Sequence, residues 1–93
     1  MQKEKSQGRF SMKDLEQLTG IKAHTLRIWE QRYAVIEPKR TETNIRYFDE
    51  DDLRYVLNIT MLNSNGMKIS KIAELTKQEI NERVLKVTEA VEA

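Results

Sequence analysis

Ninety-three residues, 39% of them hydrophobic, can bury one modest core, which excludes any reading that needs two domains or a deep substrate cavity. Zero cysteines and a single histidine exclude disulfides, thiolate metal sites and cysteine- or histidine-centred catalysis, so the chain is read as a non-enzyme. The net charge of +1 hides an asymmetry, with ten Lys and Arg against six Asp and Glu over 1–47 and six against nine over 48–93. A basic half suits a phosphate-facing surface, ordinary solvated charge being the competing explanation.

Residues 1–9 are polar and aperiodic and read as a disordered lead-in. Lys3, Lys5, Arg9, Lys13 and Lys22 interrupt the first 25 residues, so no signal peptide or membrane span is expected and a cytoplasmic location follows. Ser11 and Asp14 have capping-box spacing, and Met12, Leu15 and Leu18 recur at helical intervals up to Gly20, predicting a helix over 12–19. Leu26, Trp29 and Tyr33 mark the buried stripe of a second helix over 23–33, and two helices joined by a tight glycine turn suggest helix-turn-helix.

Pro38 stops helical structure, and Pro38 to Phe48 reads as a small two-stranded wing whose tip uses Asn44 in the left-handed conformation. Asp49 caps a third helix with Glu50, Asp51 and Asp52 in its first turn, where the helix dipole favours anions. Its apolar residues Leu53, Val56, Leu57, Ile59, Met61 and Leu62 spread over more than one face, as in a spine packed between neighbours, until Asn65 and Gly66 end it. Ile69, Ile72, Ala73 and Leu75 predict a short fourth helix, and Thr76 with Glu79 caps a fifth. Ile80, Val84, Val87 and Val91 have the spacing of a heptad seam, which serves equally for packing on the domain or for pairing subunits. The expected fold is mainly α, a winged helix-turn-helix of about five helices.

Over residues 10–75 the strings FSMKDLEQLTGIKAHTLRIWEQRY, PKRTETNIRYF and DEDDLRYVL resemble, in order and spacing, the DNA-binding domain of MerR-type bacterial transcription regulators. The run LRIWEQRY followed by PKRT is most similar to the branch holding curli-type and light-sensing, cobalamin-binding regulators. The resemblance implies a winged helix-turn-helix over 10–76, with 77–93 a C-terminal helix that opens a linker or dimerisation segment. It implies double-stranded DNA as partner, self-association of a full-length protein and RNA polymerase as a further candidate partner. No effector pocket or ligand motif is visible, so no cofactor is assigned to this domain.

Two positions depart from the pattern of relatives. Ala34 stands where they usually place Gly, and since an Ala at positive φ costs about 1 kcal/mol, the helix is expected to end differently here. Ile45 stands where they often carry His or Tyr, which puts polar readout at that position in doubt.

With Leu26, Trp29 and Tyr33 turned inward, helical geometry directs His24, Arg27, Ile28 and Gln31 outward as the groove-facing surface. Arg27 suits guanine edges or phosphate, Gln31 adenine, and Thr25 phosphate or a thymine methyl. His24 serves as a hydrogen-bonding group or as an exposed helix residue; Arg32 reaches phosphate or pairs with Glu30 or Glu37. In the wing, Lys39, Arg40 and Arg46 with Thr43 and Asn44 suit a minor groove. Tyr47 touches phosphate or packs. Competing functions are an excisionase-like architectural DNA binder, and a winged-helix protein-interaction module using the acidic second half and an exposed Tyr55.

Overall fold

The computed structural model describes residues 9–92. The chain enters α1 (Met12–Thr19) through a reciprocal cap: Asp14 N–H donates to the Ser11 hydroxyl at 3.0 Å and Ser11 N–H donates to the Asp14 carboxylate at 2.9 Å. Gly20 closes the helix at φ +80°, its N–H donating to Glu16 O, a left-handed stop that a side chain would strain. The expected bounds 12–19 are the observed ones. Within the expected stripe, however, only Leu15 is fully buried and Leu18 is 54% exposed, because the helix is covered on one narrow face by the two helices that follow it in the chain.

The second helix, α2 (Ala23–Gln31), ends two residues before the expected 33. Arg32 is its C-cap, and Ala34 follows at φ +53°. The expectation that Ala34 avoids the left-handed stop is therefore corrected: the alanine adopts it. The physical reason lies one residue on. The reversal lets Val35 N–H donate to Trp29 O at 3.2 Å and drops Val35 and Ile36 into the core at 6% and 3% exposure. Burying two aliphatic side chains yields roughly 1.5–3 kcal/mol each, more than the roughly 1 kcal/mol of strain at Ala34.

A two-stranded antiparallel wing follows, β1 (Lys39–Arg40) with β2 (Arg46–Tyr47), in the register Lys39 to Tyr47 and Arg40 to Arg46. Its loop closes with Asn44 N–H on Thr41 O and Thr41 N–H on Ile45 O, and Asn44 takes φ +66° as expected of the tip. This is a three-residue loop with a left-handed residue after the turn. Phe48, fully buried, anchors the hairpin, and its backbone exchanges two hydrogen bonds with Phe10 at 2.7 and 2.8 Å. That added bridge ties the wing to the entry of α1 and was not legible as a strand in the sequence.

The spine, α3 (Glu50–Ser64), starts on the Asp49–Asp52 capping box and packs against α1, the short α4 (Ile69–Ile72) and the last helix. Val56, Ile59 and Leu62 are buried, whereas Leu57 and Met61 lie on its outer face at 42% and 38% exposure. The last helix, α5 (Lys77–Glu92), opens on the expected Thr76–Glu79 box, with reciprocal bonds of 3.1 and 2.8 Å. It folds back along α3: Ile80 is fully buried and Val84 and Val87 pack on the core. Val91 falls outside the described side chains, as does nearly all of the expected lead-in 1–9, of which Arg9 alone is described.

Candidate nucleic-acid interface

Trp29, 4% exposed, and the fully buried Leu26 fix the roll of α2 against the core. That roll turns His24, Arg27 and Gln31 to solvent, while Thr25 and Ile28 are half-buried on its flanks. The sequence reading had Ile28 fully outward; it sits on the boundary instead. No side chain caps α2 at Lys22, in contrast to the boxes on α1, α3 and α5. Arg32 is exposed with its guanidinium 5.8 Å from the Tyr33 ring, and neither of its expected carboxylate partners is bound to it.

Glu30 is instead taken by the wing: both of its carboxylate oxygens accept from the Arg46 guanidinium across 16 residues of sequence. Lys39, on the other strand, donates to Asp52 at 2.8 Å and pairs with Asp49 at 3.1 Å. The hydrogen bond to Asp52 is the main reason the Lys39 ammonium is held above its ordinary range. Asp49 is held below its ordinary range, chiefly because its carboxylate accepts the Asp52 N–H and secondarily through Lys39. Lys39 and Arg46, expected from the sequence as wing cations facing DNA, thus each have a carboxylate partner within the molecule, while their side chains stay 44% and 42% exposed.

Arg40 lies directly across from Arg46 and, among the described residues, reaches only the Asn44 carbonyl and side-chain oxygens, at 3.4 and 3.3 Å. Among the described residues it has no carboxylate partner. Thr43, Asn44 and Ile45 are exposed at the tip, Ile45 at 62%. Tyr47 is half-buried, with the Arg9 guanidinium 4.8 Å from its ring centroid. Arg9, the last residue of the expected lead-in, thus lies against the wing.

Tyr55 is not the exposed residue expected of a protein-docking surface. It is half-buried beneath Lys77, whose ammonium lies 5.2 Å from the ring, beside a cleft of about 410 Å³ bounded by Pro38, Lys39 and Asp52. Burial pushes its phenol up from the ordinary value. Among the described residues no group of three or more His, Cys, Asp or Glu could hold a metal, and no helix is long and apolar enough to cross a membrane.

Two helices joined by a tight turn stand beside a basic hairpin and a spine helix, and the model of the MerR HTH family regulatory protein matches residues 10–79. The chain belongs to the MerR family. Among curated relatives it is 32% identical over 62 residues to the HTH-type transcriptional repressor CarH of Myxococcus xanthus, a match covering 67% of this chain and 21% of that protein. It is 30% identical over 70 residues to the HTH-type transcriptional regulator MlrA of Escherichia coli, covering 75% and 29% respectively. The MerR chain thus spans less than a third of the length of these relatives. Among solved structures it is similar to HiNmlR, a MerR family regulator lacking the sensor domain and bound to promoter DNA, with a TM-score of 0.62 and 25% identity over 88% of this chain and 66% of that one.

Proposed function

We propose that this MerR domain is the DNA-reading part of a transcription regulator that engages a half-site with α2 in the major groove and the wing tip at the adjacent minor groove or backbone. The observation that carries the reading is the outward face of α2, where His24, Arg27 and Gln31 stand together beside a hairpin whose Arg40, Thr43 and Asn44 are open. Gln31 suits the paired donor and acceptor of adenine, and Arg27 those of guanine or a phosphate. Thr25 and Ile28 border this surface, and Arg32 extends it toward the backbone. The solved relative's complex with promoter DNA supports the assignment. The domain itself, over 10–76, needs no cofactor for this role, and we place its work in the cytoplasm.

A single half-site contact is small, so the full-length protein is expected to self-associate and bind paired half-sites, with RNA polymerase as a further partner. Selection from a random duplex pool by the full-length protein then yields a palindromic consensus. Because linkage makes the second contact intramolecular, that protein binds the paired site about 100-fold or more tighter than the 93-residue chain does. Equal affinities, or no enriched sequence, contradict the proposal.

A further inference from the structure

We propose that Glu30 is a positioning residue for DNA binding: it locks the wing to the reading helix through Arg46 and leaves Arg40 as the wing cation presented to phosphate. The inference rests on the DNA-binding reading above. Its starting point is the register, which sets Arg40 and Arg46 directly opposite one another on the hairpin. Like charges directly opposite repel across a two-stranded ladder. Two guanidiniums there would splay a hairpin whose strands are two residues each, unless a carboxylate intervenes.

Glu30 is that carboxylate. It projects from α2 between Trp29, which is buried, and Gln31, which is exposed, so its backbone moves with the reading surface. Its side chain is only 17% exposed while Arg46 is 42% exposed, so the pair is partly withdrawn from water and less screened than an ordinary surface pair. One guanidinium nitrogen of Arg46, Nη2, donates to both carboxylate oxygens, a charge-assisted contact that tethers β2 to α2.

The opposite strand is held independently. Lys39 on β1 binds the two carboxylates that cap α3, and Phe48 closes the base of the hairpin in the core. The wing is thereby clamped on β1 to the spine and on β2 to the reader, and the angle between wing and α2 is set before DNA arrives. Pre-setting that angle removes an ordering cost from binding. Of the three cations on the strands, only Arg40 is left without an anionic partner among the described residues.

The sign of the effect separates positioning from plain electrostatics. A carboxylate that merely lies near DNA repels phosphate, so deleting it tightens binding. A carboxylate that positions the wing does the reverse. Glu30→Gln is expected to weaken binding to the duplex enriched by selection about tenfold, with Arg46→Gln similar and the double variant no worse than either single one. The salt slope stays at the wild-type value in both, whereas Arg40→Gln lowers it by about one unit.

The measurement is fluorescence anisotropy at several salt concentrations, with melting temperatures of each variant and, in DNA-free protein, NMR order parameters of the wing amides, which fall when either member of the pair is removed. Tighter binding by Glu30→Gln, a slope lowered by Arg46→Gln but not by Arg40→Gln, or strictly additive losses in the double variant each overturn the proposal. Wild-type protein that binds no duplex overturns the DNA-binding reading and this inference with it. Wild-type binding with unchanged Glu30→Gln and Arg46→Gln overturns the inference alone.

Discussion

Replacing Ala34 by Gly should stabilise this domain, an unusual direction for a single substitution. Ala34 sits at φ +53°, where its methyl group crowds the backbone and costs roughly 1–2 kcal/mol relative to the right-handed region. Glycine removes that strain but enlarges the freedom of the unfolded chain, which takes back roughly 0.4–1 kcal/mol. Ala34 is exposed, so no significant apolar burial is lost. The balance is a gain of about 0–1.6 kcal/mol, centred near about 0.8 kcal/mol, which is about 3–6 °C in Tm for a domain of this size. Thermal melting followed by circular dichroism, with urea titration to check that the m-value is unchanged, reads it directly. Asn44→Gly is the internal control: it lies at φ +66°, yet asparagine tolerates that region and its side-chain oxygen accepts from Arg40, so with little strain to relieve the change should be neutral to slightly destabilising. A lower Tm for Ala34→Gly, or equal gains at both positions, refutes the strain argument and the left-handed stop that closes α2.

Trp29→Ala should cost roughly 3–5 kcal/mol, since it empties a buried aromatic site at the centre of the domain; loss of DNA binding with an unchanged melt would show instead that the indole stacks on DNA. The lowered pKa of Asp49 makes the fold acid-sensitive: its contribution is complete above the ordinary aspartate value of 3.8 and is lost as pH falls through the lower folded value. Asp49→Asn, which retains a good helix cap, should flatten the acid limb of a stability-versus-pH curve below that value, and an unchanged limb would assign the acid sensitivity elsewhere. Gln31→Ala or Arg27→Ala should reduce binding to the preferred duplex by about 1–3 kcal/mol and relax discrimination at one base pair per half-site, as titration against base-substituted duplexes would report. Losses equal on all sequences would make both residues backbone contacts.

The sequence alone determined the elements whose signals are local. Ser11–Asp14 and Thr76–Glu79 are caps made by side chains three residues apart, so spacing was enough to find them, whereas Asp49 was legible as a cap but its reciprocal bond with Asp52 was not. The roll of α2 was equally legible, because Leu26 and Trp29 define a buried edge and helical geometry then assigns His24, Arg27 and Gln31 to the other side. The left-handed tip at Asn44 followed from residue type. What lay beyond reach were choices between partners distant in the chain. Val35 and Ile36 are core residues in a non-repeating segment, with no period to betray them. The stripe from Ile80 to Val87 was equally compatible with a partner subunit, and only the return of α5 along α3 spent it on this chain's own core. Above all, the charges of the wing could be counted but not matched: Arg46 and Glu30 are 16 residues apart, and a cation's range of possible partners is narrowed to one only when the tertiary structure brings a carboxylate within reach.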